Sequence, residues 1–549
     1  MTGGASTRAL HPQAEESPVA AKAANRTVAV LAVLAGLALF GVLVIVGVLM
    51  RFAQSGTLGI SPAWFYRLMT LHGAGMITAA LLSMMGALWF VLRTDVALNA
   101  PRMWASFLAM VIGAVSVLIA TMLGRFAAGW TFLWPLPYDA VGQWSRWATI
   151  LFLIGVLLVG VGFCIFCIDV LEKTTIAFGG LDRTLGITYL RGRDPHPPPP
   201  TATGAVVVAM AGLAASAGGT TVLAGLLVYS YDSSARIDAL WAKNLTYFFG
   251  HTAANLIIYL AACVVYVLLP LYTGRRWKTS APLVVGWLLT LVFVLTAYSH
   301  HLYMDTVQPR ALEYISNGVS DAAAIPVAVV TIYTGMMLVW GSGYRWTLAS
   351  RLLYLGFAGW AIGGVGAVID AILPVNARLH NTDWVPAHFH TYLLVGVMFW
   401  VFAFVAHILE VRAPRPSVGV NAWLAPALMV VGGYGLTGVW YAAGALGVPR
   451  RYAVQPPGTD GYSLAGGVFG LVFLVGFIAM VTEFAVLARR ARVGQRPAFA
   501  GEGDLTASQL HASWRAFRER LQLANRQSLG HDDSAGHRTP AKLDPGPYP

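Results

Sequence analysis

The run Trp384-Val-Pro-Ala-His388-Phe-His390, continued by Thr391-Tyr-Leu-Leu-Val-Gly-Val-Met-Phe-Trp-Val-Phe-Ala-Phe-Val-Ala406, decides the fold. A helix of about 20 apolar residues crosses the hydrocarbon of a bilayer, and this run is long enough to do so. Successive helical residues lie about 100° apart, so His388 and His390 point to nearly opposite faces of one helix. A histidine in such a segment costs free energy unless something binds it. Four more stand near the ends of other apolar segments: His72, His251 and the adjacent pair His300 and His301. Metal ligation explains all six together, because neutral imidazole is the commonest protein ligand for transition metals.

The rest of the chain agrees with a bilayer setting. Of 549 residues, 57% are hydrophobic and 11% charged, where a soluble domain carries about a quarter charged residues. Eighteen Trp and 21 Tyr suit interfacial belts. The net charge of +12 lies mostly in short loops and the C-terminal tail, so it reads as a topological signal, with no nucleic-acid partner. Three cysteines make no disulfide framework, and Cys164 and Cys167 read as packing within an apolar helix. The first apolar run, from Val28, is too long for a signal-peptide core, so none is expected.

Twelve spans follow, at roughly 28–51, 63–92, 103–123, 146–170, 204–230, 246–273, 281–301, 322–342, 350–373, 387–411, 421–446 and 463–488. The fold class is therefore an all-α membrane protein of twelve transmembrane helices. Residues 28–488 form its domain, 1–27 an N-terminal tail and 489–549 a basic, disordered tail. Basic residues such as Arg93, Lys173, Arg275, Arg345 and Arg412 follow even-numbered spans, which places both termini in the cytoplasm. Pro195–Pro200 reads as a stiff linker. Arg450 and Arg451 break the pattern by lying on the outer side, where they call for a local anion. All six histidines then fall at one depth in the outer half of the membrane.

On that arrangement one helix can ligate two haems, one on each flank. His72 and His390 would complete the coordination of one, and His388 would hold the other from one side only. His251, His300 and His301 offer three nitrogens to a second metal over the open face, a set that suits copper or iron.

With Met69-Thr-Leu-His-Gly73, Phe249-Gly-His251, Tyr298-Ser-His-His301, His380-Asn-Thr-Asp-Trp-Val-Pro-Ala-His-Phe-His390 and Gly447-Val-Pro-Arg-Arg-Tyr452, the chain resembles the catalytic subunit I of the haem-copper oxidase superfamily across all twelve helices, with the long run closest to the B-type branch. The resemblance implies two haems, one low-spin on His72 and His390 and one high-spin on His388. It also implies a non-haem metal, copper or alternatively iron, on His251, His300 and His301. Arg450 and Arg451 match a pair that holds haem propionates, and His380 falls among the same groups. A bacterial or archaeal cytoplasmic membrane is implied as the location.

One departure bears on the reaction. Oxidases of this family place a tyrosine, cross-linked to a metal-ligand histidine, one turn after the first such histidine in the A and B branches. Here that position is Asn255. The C-branch position holds Val294; Tyr259 and Tyr298 match neither placement, though Tyr298 could point into the site. Without that tyrosine a two-electron reaction is easier to sustain. Reduction of nitric oxide to nitrous oxide is therefore the favoured reading, with Asn255 offering an amide donor to substrate. Reduction of dioxygen to water with proton translocation is the alternative. The glutamate of the familiar nitric oxide reductases has no counterpart in span six.

A weak proton path runs along Tyr266, Thr331, Tyr333 and Thr334, and Tyr266 resembles a channel tyrosine of the B branch. Ordinary interhelical hydrogen bonds would explain the same residues. Glu313 and Asp321 would bracket the outer start of span eight. No haem-attachment or copper-binding cysteine motif occurs, so electrons are expected from a second subunit or soluble donor carrying copper or c-type haem. A twelve-span transporter is the rival from another class, disfavoured because the halves show no repeat and the histidines lie off the midplane.

Overall fold

The computed structural model describes residues 18–138, 142–304, 309–323, 325–413, 415–417 and 420–493, with side chains from residue 26 onward except at 421 and 493. Most of the expected N-terminal tail, and the C-terminal tail beyond 493, lie outside the described residues, as do His11, His511, His531 and His537.

Among the described residues, twelve helices are long and apolar enough to cross a membrane. They are α1 (Arg26–Gln54), α2 (Pro62–Leu92), α3 (Ala100–Met122), α4 (Arg146–Ala177), α5 (Pro200–Tyr231), α6 (Ala239–Thr273), α7 (Ala281–Leu302), α8 (Arg310–Val339), α9 (Leu348–Ala371), α10 (Trp384–Arg412), α11 (Ala422–Ala445) and α12 (Asp460–Arg492). The twelve-span expectation is borne out. Ends are set by local chemistry: Ser61 and Pro62 open α2, and Asp238 caps α6 through Trp241 N at 2.7 Å. Thr347 and Ser350 form a capping box on α9, and Gly274 at φ +67° ends α6. Pro200 starts α5 directly, so the proline run is shared between linker and helix.

Three features depart from the sequence reading in ways that bear on the site. The helix of α1 begins by Pro18, within the stretch read as a tail. The last turn of α7, Ala297–Leu302, tightens to a 3-10 helix that carries both its histidines. The eighth span starts at Arg310 rather than 322, as Arg310–Ala323 followed by Pro326–Val339. Its first half escapes a hydropathy window because its polar side faces the protein. Asn317 Oδ1 accepts from Leu373 N at 2.6 Å and Ser320 lies against His300, while Tyr314 and Ile315 are 68% and 63% exposed. Glu313 and Asp321 thus lie within the helix instead of bracketing its start.

The most buried spans are α2, α6, α5 and α10, where 83%, 72%, 67% and 67% of the spanning window is buried, and α2, α6 and α10 carry four of the six histidines. Helix α10 is continuous except for one π-helical turn, Leu393–Val397, just below His390. There the Val395 backbone packs so closely on Gly359 of α9 that a Cβ at 359 would collide with it.

Candidate functional site

A single cavity of about 780 Å³ is lined by His72, His251, His300, His301, His388 and His390 together. That volume lies in the range of about 300–1,000 Å³ typical of enclosed ligand and cofactor sites. Asn255, Arg450 and Arg451 also line it; His380 does not, but sits close enough to Asp370 for their charges to interact.

His72 and His390 face each other across the cavity with ring centroids 6.2 Å apart and planes 12° from parallel. The Nδ1 of His72 lies 2.9 Å from Leu43 O and that of His390 lies 2.8 Å from Pro386 O. A carbonyl only accepts, so both Nδ1 atoms carry the proton and both Nε2 atoms keep a lone pair. A metal about 2 Å from each nitrogen, with each nitrogen about 1.1 Å from its ring centre, separates two such centroids by about 6.2 Å. The observed gap leaves room for one ion between the two rings. Gly47 of α1 makes room for the pair, since a Cβ there would stand 3.0 Å from His72 Cε1.

His251, His300 and His301 present one ligand atom each, all within 4.8 Å of one another. Ligands on a common ion at about 2.0–2.1 Å lie no more than about 4.2 Å apart, so binding would draw the three in slightly. The Nδ1 of His300 is 3.1 Å from Ser320 Oγ, whose own proton goes to Ala297 O at 3.3 Å. Nδ1–H is therefore the donor, and Nε2 is left for a metal. His251 turns Nδ1 toward His301 Nε2 at 3.3 Å and Nε2 toward Asn255. Asn255 Nδ2 donates to the His251 carbonyl at 2.9 Å and stands 3.3 Å from His251 Nε2.

His388 has a buried Nδ1 without a hydrogen-bond partner among the described residues, while its Nε2 stands 3.6 Å from Asp370 Oδ2. A buried polar atom left unmade costs about 1–3 kcal/mol, which a bound metal would relieve. Gly366 is needed here, for a Cβ would approach His388 Cβ to 2.9 Å.

At the histidine-bearing end of the bundle the segment before α10 pairs with the loop before α12. Asp383 N donates to Val448 O and Arg450 N to Asn381 O, both at 2.9 Å, and Arg450 Nη2 reaches Asn381 Oδ1 at 2.9 Å. Arg451 is held at φ +67°, a conformation costly for a side-chain-bearing residue. Opposite them Arg51 Nη2 reaches Asp383 Oδ2 at 3.5 Å and Ser463 Oγ at 3.2 Å, and lies 5.0 Å over the Trp440 ring, which packs on His390 at 4.7 Å. Burial outweighs the charges of Arg51 and Arg450 and raises the Asp383 carboxyl to about 6.

The profile of the family described as cytochrome c and quinol oxidase polypeptide I matches residues 27–487. The chain belongs to this haem-copper family. Membership makes it a multi-pass membrane oxidoreductase subunit, and brings with it, in general terms, haems, copper, partner subunits and an electron donor. It is 25% identical over 425 residues to cytochrome c oxidase polypeptide 1 of Halobacterium salinarum, covering 74% of this chain and 68% of that one. Cytochrome c oxidase subunit 1 of Thermus thermophilus is 26% identical over 294 residues, covering 49% and 52%. These alignments span between about half and two thirds of the relatives' lengths. A solved haem-copper terminal oxidase dimer shares the fold at a TM-score of 0.70 and 20% identity, covering 97% of this chain and 96% of that one.

Within this haem-copper fold the tyrosines sort by position. Tyr298 donates to Asn244 Oδ1 at 3.4 Å and packs on Phe248, away from the cavity lining. Tyr259 lines the cavity two turns below His251. Tyr247, passed over in the sequence, lies one turn before His251, lines the cavity and stacks on His301 at 5.2 Å and 16°. Its signal was the four-residue spacing from His251. Arg51, Asp370, Asp383 and Ser320 were also missed, although Asp383 stands inside the quoted run. Phe389 lines the cavity, whereas Trp384 binds Gly366 O through Nε1 at 3.1 Å.

Of the four proton-path residues, Tyr266 and Thr331 meet through their hydroxyls at 2.5 Å. Tyr333 corrects the expectation: it is 67% exposed, because two residues along α8 turn it about 200° from Thr331. Thr334 is half-buried.

Proposed function

We propose that this chain is the catalytic subunit of an enzyme that reduces two molecules of nitric oxide to nitrous oxide and water with two electrons and two protons. Asn255 carries the reading: an amide stands 3.3 Å from His251 Nε2, one turn along α6, where the resemblance would set a cross-linked phenol. An amide forms no such link and supplies no electron, but the N–H that stands beside His251 Nε2 would be released to donate to an oxygen of substrate once that nitrogen held a metal.

The remaining roles follow from placement. His72 and His390 would hold a low-spin haem, His388 a high-spin haem, and His251, His300 and His301 a copper ion; these groups would supply the redox chemistry when bound. Arg450 and Arg451 would hold propionates at the outer rim, with His380 beside Asp370. Tyr266 and Thr331 would pass protons from the inner side. Both termini would face the cytoplasm of a bacterial or archaeal cell, and a copper or c-type haem donor would dock outside.

Dioxygen reduction is the second reading. It is favoured by the names of the relatives and by the Tyr247 phenol stacked on His301. The deciding experiment gives the reduced enzyme nitric oxide and dioxygen separately, with nitrous oxide quantified. Stoichiometric nitrous oxide at a rate above oxygen uptake supports the proposal. Rapid four-electron oxygen consumption without nitric oxide turnover overturns it and leaves the ligand roles standing.

A further inference from the structure

At the end of the bundle remote from the six site histidines, a second cavity of about 380 Å³ opens between Arg26 of α1 and the ends of α2, α6 and α10. Arg26, Arg93 and Arg412 line it, with His407, and Asp95 is the only carboxylate among its lining residues. The cavity is therefore net positive. Arg26 rests over the Phe90 ring at 5.9 Å and Arg93 over Trp89 at 4.8 Å, so aromatic faces seat two of the guanidinium groups.

Arg26 and Arg412 lie close enough to repel each other, and among the described residues neither forms an ion pair with a carboxylate. His407, which the sequence reading passed over, has its Nδ1 fixed 2.9 Å from Tyr272 Oη, leaving Nε2 as the ring's remaining polar atom. The opposite wall is apolar, formed by Val267, Leu271, Phe404 and Ile408. None of these groups takes part in the site described above.

We propose that this cavity binds the phosphate headgroup of an anionic phospholipid. A phosphate ester offers oxygens that guanidinium forks match bidentately, and its charge would relieve the repulsion between Arg26 and Arg412. The apolar wall, set at the ends of the spanning helices α2, α6 and α10, would take the start of the acyl chains and favours a lipid over free phosphate. No step of the gas chemistry depends on it.

Delipidated full-length protein is titrated with phosphatidylglycerol, against phosphatidylcholine, and bound lipid is counted by native mass spectrometry. The wild type retains phosphatidylglycerol selectively. At about five-fold per basic residue at a membrane surface, the R26Q/R412Q variant loses roughly thirty-fold in affinity, whereas R26K/R412K, which keeps the charge and loses the fork, falls between that variant and the wild type. An R191Q/R193Q variant, altered in another basic loop, binds as the wild type does. Unchanged retention by R26Q/R412Q, or no preference over phosphatidylcholine in the wild type, overturns the proposal. So does displacement of the lipid by inorganic phosphate alone, which needs no variant and would assign the site to a soluble anion.

Discussion

At three of the six histidines, the nitrogen left for a ligand is selected by what the other nitrogen of the ring already holds. Leu43 O, Pro386 O and Ser320 Oγ fix Nδ1 of His72, His390 and His300. Such outer partners are worth about 10–100-fold in metal affinity. Ser320→Ala should therefore weaken the non-haem metal by about that factor, read as metal content against a competing chelator, with both haem bands intact. Asn255 acts on substrate rather than on the metals in our reading. Asn255→Leu should cut nitric oxide turnover by about 10²-fold, the cost of losing one preorganised donor, without altering the haem spectra. Undiminished turnover would remove Asn255 from the chemistry.

Two helices meet at Tyr266 and Thr331, and their 2.5 Å contact belongs to neither sequence alone. Tyr266→Phe should slow turnover while leaving the haem spectra unchanged; full turnover would discard this proton route. What the sequence disclosed follows the same division. Spacing within an element was legible: the opposed faces of His388 and His390, the paired His300 and His301, and the twelve apolar runs. Contacts between distant elements were not. Tyr247 meets His301 only because α6 packs against the last turn of α7. Arg310–Ala323 was lost to the hydropathy rule because its apolar side faces outward and its polar side faces in, the pattern suited to lipid rather than water. Tyr333 was misplaced because its neighbours' polarity was read without the turn of the helix.

Across the molecule, Arg51 and Asp383 tie the C-terminal end of α1 to the segment that presents His388 and His390. Removing one partner of a buried pair costs about 3–5 kcal/mol, since the other charge is stranded. Arg51→Met should lower the melting temperature, and R51M/D383N should recover part of the loss. The pH dependence has a sign. Asp383 is raised from 3.8 to about 6, so the fold favours its neutral form, and its contribution is present at low pH and lost as pH rises through 6. The R51M penalty should thus be larger at pH 8 than at pH 5, measured by thermal unfolding in detergent; equal penalties would dismiss the pair as a stabilising contact.

The single wide turn at Leu393–Val397 has a mechanical corollary. One surplus residue there breaks the angular phase between the upper and lower portions of α10. The inner portion can then be repacked, or shift with its neighbours, without swivelling the two imidazoles above it.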